Sequence, residues 1–259
     1  MSKQAFLAYW LGYVEGGPPL EETPPEVGIV ALAFAVTAPS PQGDSITLDF
    51  LTSKHSEAEM RAGAKALQAR GVKVIMSING TDSWEGHPDG WGNLNAEEFA
   101  ANVKRIVVDD WGLDGVDLDQ EGAAPPGDDF VAVIKALRAA LGPDALITTP
   151  VFIGPWRDAY LPQVKDDLSM VMTMAYWNDF EGAKYLFEQY AALVGPEKMA
   201  IGVANSANPG QNTPIEAVPQ IAAWNPDGAS KAGVMLWNLN QPPKEETARW
   251  CGMIGDALP

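Results

Sequence analysis

Hydrophobic and polar positions follow two rhythms along this chain. Short runs of Val, Ile, Leu, Ala and Met, continuous enough to be buried on both faces, alternate with longer stretches of helical period. The short runs predict strands at Ala5 to Trp10, Val27 to Val36, Val72 to Ile78, Gly115 to Asp119, Ala145 to Phe152, Ser169 to Tyr176, Met199 to Val203 and Ala232 to Trp237. The longer stretches predict helices at Ser56 to Arg70, Asp129 to Leu141, Tyr185 to Val194, Ile215 to Trp224 and Glu246 to Leu258. Another begins at Asn95, where Glu98 three residues on resembles a capping box. The first unit is the weak one. Gly16 to Pro25 is too rich in Pro and Gly for a regular helix, so a long loop with a short helix or none is expected there.

Strands alternating with helices predict one α/β domain covering residues 1–259, a closed (β/α)8 TIM barrel rather than an open doubly wound sheet. No linker or longer repeat divides the chain, and no Gly-rich dinucleotide fingerprint follows the first strand. The longest apolar run, Val27 to Val36, is too short to span a bilayer, so no membrane partner is expected. The chain enters its first strand almost at once, which leaves no room for a signal peptide. Cys251, the single cysteine, is expected to be a small buried residue on the last helix. A net charge of -17 argues against a nucleic-acid partner and fits a neutral or cationic ligand, or simply an acidic soluble surface.

Candidate chemistry concentrates at Asp114-Gly-Val-Asp-Leu-Asp-Gln-Glu121. A spacing of two puts Asp117, Asp119 and Glu121 on one face of a strand and Val116 and Leu118 on the other. In a parallel barrel the apolar pair faces the helices and the acids face inward, close enough that a proton is shared or retained near neutral pH. Two other readings compete: a solvated acidic face, and a calcium loop framed by Asp117, Asp119, Glu121, Gly122 and Asp128. The first conflicts with a central barrel strand. The second lacks a preceding helix and is interrupted by Pro125 and Pro126.

These residues resemble the fourth-strand signature of glycoside hydrolase family 18, Asp-Gly-x-Asp-x-Asp-x-Glu, in full. Further matches fall in order: Ser77-Ile-Asn-Gly80 resembles the third-strand Ser-x-Gly-Gly, Met174-Ala-Tyr176 the sixth-strand Met-x-Tyr, and Trp237 the eighth-strand tryptophan. Departures are Asn79 in place of Gly, Gln120 where many chitinases carry an aromatic residue, and Trp177-Asn178 where many have Asp directly after the tyrosine. The stretch between Val203 and Ala232 leaves no room for a large insertion domain, so an open groove suited to endo cleavage is expected.

The resemblance implies retaining, substrate-assisted hydrolysis of β-1,4-linked N-acetylglucosamine glycans. Chitin is the first expectation, the chitobiose core of N-glycans the alternative, and a non-catalytic chitin-binding barrel the reading from another class. It implies catalytic roles for Glu121 (acid, then base), Asp119, Asp117 and Tyr176. Substrate contacts are expected from Trp237, Tyr9, Asn178, Met174, Trp177 and Ser77. Trp10, Trp84, Trp91 and Trp156 also follow strand ends, where sugar-stacking aromatics would sit, whereas Trp111, Trp224 and Trp250 are expected to pack. His55 and His87 form no metal motif, and no cofactor is expected. The resemblance further implies a monomer acting outside the cell.

Overall fold

The computed structural model describes residues 4–41, 43–80, 90–92, 94–122, 125–152 and 154–259. Eight parallel strands close on themselves: β1 (Ala5–Leu11), β2 (Ile29–Ala38), β4 (Lys73–Asn79), β5 (Gly115–Asp119), β6 (Leu146–Val151), β7 (Met170–Thr173), β8 (Met199–Ala204) and β9 (Gly233–Trp237). The ring closes because β1 pairs in parallel with both β2 and β9. A short strand absent from the sequence reading, β3 (Ser45–Thr47), folds back antiparallel onto β2. The acidic segment therefore lies on the fourth strand of the barrel, which is β5 in chain order.

Alternation along the strands separates two apolar layers. Phe6, Ala8 and Trp10 of β1, and Val116 and Leu118 of β5, join the layer between barrel and helices. Leu7, Tyr9 and Leu11 turn inward, where Met170, Met172 and Met235 help fill the barrel. Val116 and Leu118 have no exposed surface, and each contributes roughly 1.5–3 kcal/mol of burial free energy. Inward-facing Asp117 and Asp119 are thus held by the same strand that anchors the helical layer.

The outer helices are α1 (Glu57–Ala69), α2 (Ala96–Val103), α3 (Asp128–Leu141), α4 (Leu161–Val164), α5 (Phe180–Val194), α6 (Val218–Ala223) and α7 (Lys244–Ala257). Ser56 opens α1 with a full capping box, its Oγ accepting from the Glu59 N–H and the Glu59 carboxylate accepting from the Ser56 N–H. At α2 only half of the expected box forms. Asn95 Oδ1 accepts from the Glu98 N–H, but the Asn95 N–H goes to Asp44. After β1 a single turn at Leu20–Glu22 replaces a helix. Its Leu20 fills the gap by packing against Gly63 of α1, where an added methyl would lie 3.0 Å from Leu20 Cβ. Between β8 and β9 only one turn at Pro209–Gln211 and α6 intervene, so no insertion domain rises over the barrel. Cys251 is buried on α7. Among the described residues, no helix is long and apolar enough to cross a membrane.

Gly115 opens β5 at φ +151°, and a Cβ there would sit 1.9 Å from the Leu146 carbonyl oxygen. Gly142, which ends α3 at φ +83°, has open space around the same position. Gly115→Ala is therefore expected to lower unfolding free energy by about 3 kcal/mol or more, through steric displacement of β6. Gly142→Ala carries only the backbone penalty, about 1 kcal/mol. Urea titration of the two variants checks the difference.

Candidate active site

The β5 register brings donors from both neighbouring strands onto its acids. Ser77 of β4 and Thr148 of β6 lie opposite Asp117, and Asn79 lies opposite Asp119. Asp117 is fully buried and accepts from Ser77 Oγ at 2.6 Å, Thr148 Oγ1 at 2.6 Å and the Tyr9 hydroxyl at 2.9 Å. Burial pushes its pKa up to about 6, against the downward pull of those three bonds. Neither a solvated acidic face nor a calcium loop describes carboxylates held on an interior strand in this way.

Asp119 is differently placed. Its Oδ2 accepts from Asn79 Nδ2 at 2.9 Å, while its buried Oδ1 has no donor from the protein. Burial, then the charges of Glu121 and Asp117, raises its pKa well above the usual carboxylate range. Glu121, two residues past it, stands in the barrel mouth, reachable by solvent yet walled by the cleft. Desolvation raises its pKa too, opposed by a hydrogen bond with Asp119 and by the positive charge of Arg157. Desolvation thus pushes both carboxyl groups toward holding a proton, and two carboxylates this close resist ionising together.

Above the acids lies a cavity of about 380 Å3. Tyr9, Phe34, Trp237 and Met174 line it together with Tyr176, Trp177, Pro150, Phe152 and Gln211. The Trp237 ring is stacked on Phe34, with centroids 5.8 Å apart and planes 23° apart, and tilts against Tyr9 at 5.3 Å. Among the described residues, the hydroxyl of Tyr176 donates to Met235 Sδ at 3.8 Å, a weak acceptor that leaves the proton available. Burial, followed by the three acids, raises its pKa, so it remains a neutral donor. Trp177 is more than half exposed at the rim. A second groove, about 490 Å3 between Trp10, Leu20, His55 and α1, opens outside the barrel wall and holds no such group of buried acids.

Of the residues expected from sequence, Asp119, Glu121, Tyr176, Trp237, Tyr9, Met174 and Trp177 line this one cavity, with Asp117 beneath it. Two expected substrate contacts do not. The Ser77 hydroxyl is fully buried and committed to Asp117, so it holds a carboxylate rather than reaching substrate. Asn178 turns back at the start of α5, donating to the Ala175 carbonyl, and stands outside the lining. Trp10 and Trp91 are corrections as well: both are buried in the helical layer, Trp10 donating to Pro18 and Trp91 packed on Phe130. Trp156 is exposed but outside the lining, and Trp84 and His87 lie outside the described residues. Among the described residues, no cluster of His, Cys, Asp and Glu is arranged to hold a metal ion.

Sequence reasoning missed Phe34, Phe152, Gln211 and Arg157. Phe34 is hidden in a continuous apolar run with no sign of which face it takes. Gln211 sits in an aperiodic segment that Thr213 ties to another part of the cavity wall by donating to the Tyr176 carbonyl at 2.6 Å. Arg157 left a signal: it is one of only 17 basic residues in an acidic chain and follows a strand end.

Comparison with known proteins agrees with the motif. The endo-β-N-acetylglucosaminidase EndoS TIM-barrel domain family matches residues 20–236. An endo-β-N-acetylglucosaminidase from Flavobacterium sp. is 33% identical over 168 residues, 61% of this chain and 49% of the relative. Exochitinase 1 of Streptomyces olivaceoviridis is 27% identical over 61% of this chain and 32% of its own length. The matched regions thus span about a third to a half of these relatives. A solved structure described as a putative chitinase A from Streptomyces coelicolor superposes with TM-score 0.79 at 22% identity, covering 98% of both chains. The barrel, the acidic strand that enters it and the match over most of the sequence lead to one assignment: this chain belongs to the EndoS-type TIM-barrel domain family, within glycoside hydrolase family 18.

Proposed function

We propose that this barrel hydrolyses β-1,4-linked N-acetylglucosamine glycans with retention, using the substrate's own 2-acetamido group as nucleophile. Chitin and its oligomers are the first substrate. One observation carries the reading: among the described residues, the carboxylates lining the cavity are Asp119, which ends β5, and Glu121, two residues past it on the same segment. Neither faces the other across a bound sugar, as a protein nucleophile and its acid partner would.

The chemistry follows from the groups present. Glu121 gives its proton to the glycosidic oxygen as the anomeric C–O bond breaks, and the acetamido oxygen attacks the anomeric carbon to close an oxazolinium ring. Asp119 accepts the acetamido N–H on its unpartnered oxygen and offsets the positive charge, and Tyr176 donates to the acetamido oxygen. Water then opens the ring, losing its proton to Glu121, and the first product is the β-anomer. Trp237, backed by Phe34, offers an aromatic face to the sugar. The expected partner is the glycan alone, met outside the cell by a monomer.

A second substrate, the chitobiose core of N-glycans, is favoured by the EndoS-type family match and the 33% identical relative. Incubation with chitin oligosaccharides and, separately, with a high-mannose glycoprotein decides between them. Tight binding to chitin oligomers without product would instead favour a lectin.

Glu121→Gln is expected to lower kcat by roughly 10² to 10⁴ with little change in glycan binding, because it removes a proton and almost no volume. Isothermal titration beside steady-state kinetics checks both halves. Asp119→Asn should also cost catalysis, and NMR of the first product should show retention; an inverted anomer or a trapped glycosyl ester would overturn the mechanism. Trp237→Ala should weaken binding as well as turnover.

The pH profile has a defined sign. Activity needs the proton on the Asp119–Glu121 pair, and burial raises the affinity of both groups for it. The rate is therefore expected to fall as pH rises through an apparent pKa above the ordinary glutamate value, about 4.3. A basic limb at or below that value would contradict the shared proton.

A further inference from the structure

We propose that Arg157 is the positioning residue for Glu121, gripping the chain on both sides of the acid and standing as its positive neighbour. This rests on Glu121 being the acid named above. Arg157 Nη2 donates to Gln120 Oε1 at 2.9 Å and also to the Gly122 carbonyl. Gln120 Oε1 additionally accepts from the Gly122 N–H at 2.7 Å, so residues 120–122 close into a small turn around the guanidinium. Glu121 is the residue between the two held neighbours.

The arginine is itself fixed. It is 1% exposed, its Nη1 lies 3.4 Å from Asp158 Oδ1, and its guanidinium carbon sits 5.5 Å from the Phe152 ring centroid. Asp158 in turn accepts from the Tyr190 hydroxyl on α5, which ties the loop after β6 to the helical layer. Arg157 does not line the cavity, so it acts through Glu121 rather than on the sugar. Gln120 supplies the side-chain acceptor that this arrangement uses.

Among the described residues, the charged and titratable groups around Glu121 are Asp119 and the deeper Asp117 of β5, Arg157 with Asp158 behind it, Tyr176 after β7 and Tyr13 after β1. Arg157 is the cation of this set, and its charge pulls the Glu121 pKa down against desolvation. Without it, Glu121 holds its proton to higher pH. With Lys in its place the charge remains, but a compact ammonium cannot span Gln120, Gly122 and Asp158 as the planar fork does.

The test is a carbon-13 NMR titration of the Glu121 carboxyl, beside kinetics on chitin oligosaccharides, in Arg157→Gln, Arg157→Lys and Arg157→Gln/Asp158→Asn. The double variant leaves no buried carboxylate without its partner, should the single one fail to fold. Loss of the charge is expected to raise the Glu121 midpoint by about half a pH unit or more, while Arg157→Lys leaves it in place. All three variants should lose at least about tenfold in kcat with KM little changed, since the acid is misplaced by fractions of an ångström. An unchanged midpoint in the charge-removing variants, or wild-type kcat in Arg157→Lys, overturns the proposal. A wild-type enzyme inactive on every glycan overturns the function above instead, and the titration still reads the Arg157–Glu121 coupling.

Discussion

Burying ionisable oxygen is the constraint around which this barrel is built. Three carboxyl groups rise along one side of β5, and two of them, Asp117 and Asp119, have almost no exposed surface. An unpaired buried carboxylate costs several kcal/mol, which the strand can bear only if neighbours supply donors or the acid keeps its proton. Both remedies are present, at different depths. At Asp117 the neighbours answer, with hydroxyls from β1, β4 and β6 converging on its two oxygens. At Asp119 a single amide answers for one oxygen, the other has no protein donor, and burial raises the group's affinity for a proton instead. The lining of β1, β4 and β6 is thereby constrained by β5: Tyr9, Ser77, Asn79 and Thr148 stand where its acids need them.

The same constraint explains how the outer layer is arranged. Because Val116 and Leu118 alternate with the acids, anchoring β5 to the helices and aiming its carboxyl groups inward are one geometric act. A slip of one residue would bury the acids against the helical layer and turn two aliphatic side chains into the barrel. The helical layer tolerates more. A single turn carrying Leu20 stands in for the missing first helix, since Gly63 lets it pack closely on α1.

How far the sequence could be read follows from these differences. Most barrel strands are legible because double-sided burial favours apolar, β-branched runs, and Gly115–Asp119 is legible to the residue because the alternation of acids and aliphatics admits one register. β7 was read too long. Its ladder ends at Thr173, where Met174 still bonds to Val151 but the chain then turns over the barrel mouth, and composition does not change at that point. β3 was invisible because three residues carry no period. The main site was legible in its motif residues and not in their surroundings. Ser77 and Asn178 belong to motif segments, yet hydrogen bonding to Asp117 and to Ala175 turns them from the cavity. Phe34 of β2, Gln211 of the turn after β8 and Arg157 of the loop after β6 reach the site from separate parts of the chain, and no local spacing encodes that convergence.

The unequal treatment of Asp117 and Asp119 bears directly on the proposed chemistry. A carboxylate saturated by three hydroxyls is fixed in place and has little capacity left for a substrate donor. One with a buried oxygen lacking any protein donor is poised to accept another, and satisfying it recovers some of the desolvation free energy. On the proposed reading that donor is the acetamido N–H, which becomes more acidic, and so a stronger donor, as the oxazolinium forms. The interaction then strengthens between ground state and transition state, which is the condition for accelerating a reaction rather than merely tightening binding. A sugar bearing a 2-hydroxyl can also donate, but it cannot form the cationic ring that makes the Asp119 charge valuable. Discrimination in favour of N-acetylglucosamine would therefore arise at the chemical step as well as in binding. The side chain that imposes it is the one the barrel leaves incompletely satisfied.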